Sequence, residues 1–222
     1  MLLADCGTIW SKILDTDDGA VRIIETFELL QDESLFFDLA TGHLGRSRAA
    51  RYENELVALA LGALARVDES DFVVVDVGGR DTKLCRFEGR RIRHMDWNQS
   101  CGATTGFTLD LLARYYSVDY ETLDPADEAI PVTCGVFGME RVFDAIIHGH
   151  TPAEGVARFV RGVAFNVATF AGRPPRLYLS GGLCLNGCFL RSLAHYTDVI
   201  PLGRDVPLQG LQAVLERDAE VH

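Results

Sequence analysis

The chain has 222 residues, 48% hydrophobic and 24% charged, a composition typical of a folded protein with one large core or two lobes. Its formal net charge is −11 and it has no run of Lys and Arg, which argues against a nucleic-acid partner. It also has no apolar stretch of about 20 residues, so we expect no membrane span, and the early Asp5 argues against a signal peptide. We therefore expect a cytoplasmic protein whose six cysteines are thiols or metal ligands rather than disulfides.

The first part of the chain predicts a meander of strands followed by a helix. Short apolar or alternating segments predict strands at residues 2–4, 10–14, 20–27 and 36–40. An Ala- and Leu-rich pattern then predicts a helix over residues 46–67. We place a first lobe at residues 1–70 and expect a final amphipathic helix, residues 207–217, to complete it.

The second part, residues 71–206, opens in the same way, with a strand, a glycine turn, a strand, a turn and a strand. We interpret this as a repeat of architecture without a repeat of sequence. The predicted strands are residues 72–77, 82–87, 91–95 and 176–179, and the predicted helices are residues 105–116, 136–148, 151–170 and 186–195. Helices and strands in this order predict an α/β protein in which residues 71–206 form the second lobe.

Three glycine turns follow apolar strands, at residues 5–8, 76–81 and 180–182. Glycine lets successive backbone N–H groups approach an anion closely, which suits nucleotide phosphates. The sequence contains neither a Walker A motif nor the Gly-x-Gly-x-x-Gly of a dinucleotide fold. The first two turns begin with Asp5 and Asp76, whose carboxylates suit a hydrated Mg²⁺ beside the phosphates. Any one of these turns alone is compatible with a purely structural role, but the three turns in this order favour nucleotide binding.

Two cysteines, Cys101 and Cys134, each precede a predicted helix. Two thiolates per chain are too few for a structural zinc, which takes four protein ligands, but they suit a cluster shared between two copies. The alternative is that both are small buried residues at helix starts. Cys184 and Cys188 lie one helical turn apart, and we expect them to pack in the core rather than bind a metal.

The order of these turns resembles the fold of actin, the sugar kinases and the heat-shock-chaperone ATPases. The resemblance implies two ribonuclease-H-like lobes, the first of them shortened between Lys12 and Leu39. Within that fold, five motifs in register are similar to the activators of 2-hydroxyacyl-CoA dehydratases and to the ATPase subunits of benzoyl-CoA reductases. They are residues 39–42, 76–83, 98–106, 133–138 and 180–186.

This resemblance implies a homodimer that holds one 4Fe–4S cluster between its subunits, with Cys101 and Cys134 as the ligands from each chain. It also implies that ATP binds with Mg²⁺, that Asp5 and Asp76 hold the metal ion, and that Asp76 is the catalytic residue that orients the attacking water. The nucleotide-binding residues that it implies are Asp5, Gly7, Thr8, Lys12, Gly78, Gly79, Gly181, Gly182 and Asn186.

The function implied by the resemblance is an ATP-dependent activator that delivers low-potential electrons to an iron–sulfur dehydratase or reductase. Two alternatives stay open. One is a non-catalytic nucleotide-binding regulatory or assembly subunit of the same fold. The other is a small-molecule kinase on the same fold, which is disfavoured because the motifs match the activators and no separate substrate-binding region is evident in so short a chain.

Overall fold

The computed structural model describes residues 1–98 and 105–221 of the chain. The chain divides into two compact units, each containing residues that are distant in sequence. The first unit comprises Met1–Asp71, Cys85–Met95 and Arg204–His222, and the second comprises Phe72–Leu84 and Asp96–Gly203. Among the described residues, no helix combines the length and apolar content that a membrane crossing requires.

The first sheet has five strands in the order β3-β2-β1-β4-β5. They are β1 (Leu2–Cys6), β2 (Trp10–Asp15), β3 (Val21–Glu25), β4 (Phe37–Gly42) and β5 (Ala49–Tyr52). Strand β2 is antiparallel to its neighbours β1 and β3, whereas β4 is parallel to β1 and β5. The end of β1, where Asp5 lies, is therefore at the centre of the sheet.

The helices of the first unit are α1 (Thr26–Gln31), α2 (Gly45–Arg48), α3 (Glu55–Arg66) and, from the end of the chain, α8 (Val206–Val221). Helices α3 and α8 pack together over one face of the first sheet, where Leu3, Leu14 and Leu39 share their core. Arg66 on α3 also bonds the side chain of Asp205, just before α8, at 2.6 Å. Burial of this apolar face joins the two ends of the chain in one unit.

The predicted single helix over residues 46–67 is wrong between α2, which ends at Arg48, and α3, which begins at Glu55. Residues 49–52 form the edge strand β5, and α3 begins only after Asn54, whose side-chain oxygen accepts the Leu56 N–H at 2.9 Å. Ala49 and Ala50 favour a helix locally, but pairing with β4 satisfies the backbone of this segment instead. The third predicted strand also ends earlier than expected, at Glu25, because α1 begins at Thr26.

The second sheet has the order β8-β7-β6-β9-β10. Its strands are β6 (Phe72–Val77), β7 (Thr82–Glu88), β8 (Arg91–Asn98), β9 (Arg176–Ser180) and β10 (Asp198–Gly203). Strand β9 is parallel to both β6 and β10. The sequence did not predict β10. With it, the second sheet repeats the strand order of the first, with the opening strand at the centre.

The helices of the second unit cover apolar residues of β6 and β9. They are α4 (Thr105–Tyr116), α5 (Gly135–Ile147), α6 (Pro152–Phe170) and α7 (Gly187–Leu193), with a short 3-10 helix at Gly182–Leu185. Helix α6 begins with a capping box in which Thr151 and Glu154 satisfy each other's backbone N–H groups. Its buried stripe, which includes Phe159 and Val163, packs with α7 and β9 in one core.

Candidate functional site

The first glycine turn connects β1 and β2 and is held by an ion pair. Asp5 lies opposite Lys12 in the antiparallel register, and Lys12 Nζ is 2.8 Å from Asp5 Oδ2. Both side chains are about nine-tenths buried, with exposed fractions of 10% and 11%. At Gly7 a Cβ would lie 2.7 Å from the Trp10 carbonyl oxygen, so only glycine fits this turn. Thr8, the next residue of the turn, is exposed.

The second glycine turn connects β6 and β7 and has an equivalent position in the second sheet. Asp76 is buried at the end of β6, and the Ser180 hydroxyl donates to its Oδ2 at 2.7 Å. The Gly78 N–H donates to the Asp81 carbonyl at 3.0 Å, which closes the turn. Lys83 Nζ lies 2.6 Å from Asp81 Oδ1. The turn therefore combines two buried carboxylates with a buried ammonium group.

Lys83 is a residue that the sequence prediction missed, although a signal for it was present. Lys12 follows Asp5 by seven positions (12 − 5), and Lys83 follows Asp76 by seven positions (83 − 76). A glycine stands two positions after each aspartate, and a hydroxyl residue stands just before each lysine. The interpretation of a repeat without shared sequence is therefore wrong over these eight positions. The spacing places a lysine near the start of the strand that follows each turn, where Lys12 pairs with Asp5 and Lys83 with Asp81.

The third glycine turn follows β9. Gly181 has a φ of +92°, and a Cβ there would lie 2.5 Å from the Val77 carbonyl oxygen, so glycine is required for two reasons. Gly182 is exposed and has open space around it. The side chain of Asn186 accepts the Phe189 N–H at 2.8 Å and caps α7. Asn186 thus has a definite structural role, and its role toward a nucleotide stays a prediction.

Cys134 is the N-cap residue of α5. Its Sγ accepts the Phe137 N–H at 3.4 Å, and the residue is partly exposed. The partial positive charge of a helix N-terminus stabilises a thiolate, so the position suits a sulfur ligand to iron. Two residues earlier, the Asn166 side chain donates to the Val132 carbonyl at 2.6 Å. Gly138 allows α5 to pack directly on the Phe159 ring.

The other proposed cluster ligand, Cys101, lies outside the described residues, as do the residues around it from 99 to 104. Within the described part of the chain, no group of three or more His, Cys, Asp or Glu side chains is arranged to hold a metal ion. A cluster with two ligands from each of two chains would not produce such a group in one chain. Of the two cluster ligands proposed for each chain, only Cys134 can therefore be compared with the structure.

The remaining cysteines that the structure characterises have the properties of core residues. Cys6 and Cys188 are fully buried, and burial raises the pKa of the Cys6 thiol to about 12 and that of the Cys188 thiol to about 11. Cys184 is also buried. The raised pKa values keep the Cys6 and Cys188 thiols protonated at neutral pH, which favours packing over metal ligation.

The structure brings the predicted site residues together within each unit. Asp5, Gly7 and Lys12 form one group in the first unit. Asp76, Gly78 and Gly181 form another group in the second unit, where Ser180 bonds Asp76 and Gly181 packs on Val77. Their roles in binding remain predictions.

No protein-family model matches this chain. Among curated proteins, it is 29% identical to the (R)-2-hydroxyglutaryl-CoA dehydratase activating ATPase of Acidaminococcus fermentans, over 71% of this chain and 65% of the relative. It is also 28% identical to the activator of lactoyl-CoA dehydratase of Anaerotignum propionicum, over 77% of this chain and 71% of the relative. Its named relatives are dehydratase activators. The match to the first of them spans slightly less than two thirds of that protein's length.

Solved structures of such activators share the fold. The activator of the 2-hydroxyisocaproyl-CoA dehydratase from Clostridium difficile, solved with ADPNP bound, has a TM-score of 0.76 at 22% identity and covers 100% of this chain and 98% of that one. Component A of the Acidaminococcus fermentans (R)-2-hydroxyglutaryl-CoA dehydratase has a TM-score of 0.71 at 20% identity, covering 95% and 93%. The predicted α/β class and actin-like ATPase fold are confirmed.

Proposed function

We propose that this chain is an ATP-dependent activator that delivers low-potential electrons to an iron–sulfur dehydratase or reductase. The names of its relatives support the general activator role. The observation that carries the electron-transfer part is the position of Cys134, which presents a partly exposed sulfur at the N-terminus of α5. Buried, protonated thiols such as Cys6 offer no such ligand.

The nucleotide part of the proposal rests on the three glycine turns. Asp5, Gly7, Thr8 and Lys12 of the first turn, and Gly78 and Gly79 of the second, would lie against the phosphates of ATP. The lysine and backbone N–H groups of these turns other than that of Gly78, which closes its own turn, would donate to them. Gly181, Gly182 and Asn186 would contact the adenosine. Asp5 and Asp76 would hold Mg²⁺, whose chemistry when bound is to neutralise phosphate charge.

Asp76 is proposed as the catalytic residue for hydrolysis. The Ser180 hydroxyl fixes the orientation of its carboxylate, and the residue is 9% exposed. A buried, oriented carboxylate can accept a hydrogen bond from the water that attacks the terminal phosphate. The backbone N–H groups of the neighbouring glycine turn would stabilise the charge on the phosphate oxygens.

The cluster part of the proposal requires two copies of the chain. Cys101 and Cys134 of each copy would bind one 4Fe–4S cluster, which supplies one-electron redox chemistry when bound. One electron would come from a donor protein and go to the dehydratase or reductase partner, and the transfer would be coupled to hydrolysis of ATP to ADP and phosphate. Because the activator would accept one electron and pass one electron on, it would return to its starting redox state.

An apolar surface beside Cys134 supports the homodimer. Helices α4 and α5 carry large apolar side chains at helical spacing, exposed on the surface of the second unit. These residues, which we call the α4/α5 face, are Phe107, Leu111, Tyr115, Val136, Phe143 and Ile147. Tyr115 is 73% and Ile147 79% exposed, and the Tyr115 and Phe143 rings are 6.4 Å apart. A continuous exposed apolar face is typical of an interface.

Anaerobic purification tests the proposal directly. We expect a brown protein with about four irons per dimer, whose visible absorbance bleaches on reduction. Cys134→Ser and Cys101→Ser should each remove the iron, because each takes away two of the four ligands per dimer. Cys188→Ala is the matched control and should keep the iron, since this buried thiol lies in the core.

A colourless protein that contains no iron under anaerobic conditions and still binds ATP would contradict the electron-transfer proposal. That result would instead favour the nucleotide-binding regulatory or assembly subunit. Phosphorylation of an added sugar or other small molecule would favour a kinase.

A further inference from the structure

The segment between α4 and α5, residues 117–134, leads directly to Cys134 and is attached to the helix that follows the third glycine turn. We propose that Arg191 is a positioning residue that ties Cys134 to this turn, so that nucleotide binding there alters the environment of the Cys134 sulfur. The inference rests on the proposed function, because it assigns a role to the nucleotide and to Cys134.

Arg191 lies on α7 and contacts three backbone carbonyl oxygens within residues 120–123 of the segment. Its Nη2 donates to the carbonyl oxygens of Leu123 at 2.7 Å and of Glu121 at 3.1 Å, and it reaches that of Tyr120 at 3.5 Å. The donor is charged, and such hydrogen bonds are shorter and stronger than neutral ones. A planar guanidinium can serve several carbonyls at once, which a lysine ammonium on a flexible stem does less well.

The first turn of α7 adds a second attachment at the same place. The Cys188 N–H donates to the Tyr120 carbonyl at 2.9 Å, and the Gly187 N–H donates to Glu121 Oε1 at 3.3 Å. Asn186, the last residue of the proposed adenosine site, caps this same turn of helix. One of the residues proposed to contact the adenosine, Asn186, therefore directly precedes the helix whose Gly187, Cys188 and Arg191 hold the segment.

The far end of the segment is attached to α6. The Ile130 N–H donates to the Arg158 carbonyl at 3.0 Å, and Asn166 bonds the Val132 carbonyl at 2.6 Å. Ile130 and Val132 are buried in the same core that holds α6 and α7. Because well-packed elements move together rather than deform, α7, the segment and Cys134 form one connected body.

Alkylation of Cys134 in the iron-free full-length protein tests the inference. The iodoacetamide reaction rate at Cys134 is measured by peptide mass spectrometry, with and without a non-hydrolysable ATP analogue. We expect the analogue to change this rate by about threefold or more in the unaltered protein, a coupling of ordinary size. In Arg191→Met the analogue should bind with unchanged affinity, within about threefold, but the change in rate should be lost.

Two further variants keep the test decisive. Arg173→Met removes an arginine whose side chain contacts α6 itself, at Phe165 and Thr169, and should keep the rate change. Asn166→Leu removes the side-chain bond that attaches the far end of the segment to α6, and it should reduce the rate change if Arg191→Met is too unstable to measure. If the bound analogue still changes the Cys134 alkylation rate in both Arg191→Met and Asn166→Leu as much as in the unaltered protein, the inference is overturned. It is also overturned if the Cys134 rate in the unaltered protein does not respond to bound analogue.

These results are distinct from failure of the proposed function. If the anaerobic protein holds iron and hydrolyses ATP while the rate change survives in both variants, only the positioning role is wrong. If the protein binds neither iron nor ATP, the proposed function itself is wrong.

Discussion

At the scale of single residues, the two strand-end aspartates occupy equivalent places but have different neighbours. Asp5 pairs with the Lys12 ammonium across the hairpin, whereas Asp76 accepts a hydrogen bond from the Ser180 hydroxyl of the adjacent parallel strand. The Ser180 bond fixes the orientation of the Asp76 carboxylate in the second sheet. This orientation supports the water-orienting role that the resemblance implies for Asp76.

The substitution Asp76→Asn tests that assignment. Because an amide is a poorer acceptor for the attacking water, we expect the ATP hydrolysis rate to fall by about 100-fold or more. The iron content should stay unchanged, because the cluster ligands are other residues. Ser180→Ala, which keeps the carboxylate but removes its orienting bond, should lower the rate by only about tenfold. Hydrolysis by Asp76→Asn at the original rate would refute the catalytic role.

The buried thiol of Cys6 predicts a loss of stability at alkaline pH. Burial raises its pKa to about 12, so the folded state keeps the proton while the unfolded chain releases it above its ordinary value of 9.0. The folded state then binds more protons than the unfolded state, and the free energy of unfolding must fall as the pH rises between these values. The slope for one such group is at most about 1.4 kcal/mol per pH unit.

Urea denaturation at several pH values from 8 to 11 measures this effect. In Cys6→Ala the decrease above pH 9 should be smaller than in the unaltered chain. An identical decrease in both would show that other groups cause the alkaline loss.

At the scale of elements, α3 and α8 approach each other through glycines. A Cβ on Gly62 would overlap the Val206 carbonyl oxygen, and a Cβ on Gly210 would overlap that of Ala58. Glycine normally weakens a helix by about 1 kcal/mol relative to alanine. Its use in both helices indicates that close contact between α3 and α8 is worth more than local helix stability.

The substitution Gly62→Ala should therefore destabilise the protein in spite of its better helix propensity. We expect the free energy of unfolding to fall by about 1–3 kcal/mol, because the added methyl forces the two backbones apart. The matched variant Ala65→Gly, at an exposed position of the same helix, should cost only about 1 kcal/mol from propensity. An increase in stability for Gly62→Ala in urea denaturation would contradict this packing.

The individual helices and strands also show where the local sequence was insufficient to predict secondary structure. The capping box at Thr151 and the apolar stripe of α6 predicted that helix well, because both signals lie within the helix. Residues 49–52 and 198–203 were missed as strands because each pairs in parallel with an earlier strand, β4 or β9, so that no hairpin turn marks the pairing in the sequence. An edge strand has a weak pattern of its own, since only one side of its backbone is paired.

At the scale of the whole molecule, the α4/α5 face predicts association between copies. We expect the chain to sediment as a dimer at micromolar concentration, and Ile147→Glu to raise the dissociation constant by about 10-fold or more. A glutamate there would bury an unpaired charge in an apolar interface. Analytical ultracentrifugation measures the monomer and dimer populations of the unaltered chain and of the variant.

Phe27→Glu is the matched control, because Phe27 is 65% exposed but lies on α1 in the first unit. It should leave the dissociation constant unchanged. Equal sedimentation of the Ile147 variant and the unaltered chain would exclude the α4/α5 face as the dimer interface.

The sequence by itself determined the α/β class, most of the strands and helices and the three glycine turns, because periodicity and the need for glycine are local properties. Only the tertiary structure decided which side chains share a site. Ser180 meets Asp76 from 104 residues away, and Arg191 reaches the Leu123 carbonyl from 68 residues away. Such contacts depend on parallel strand pairing and on helix packing, which no local pattern specifies.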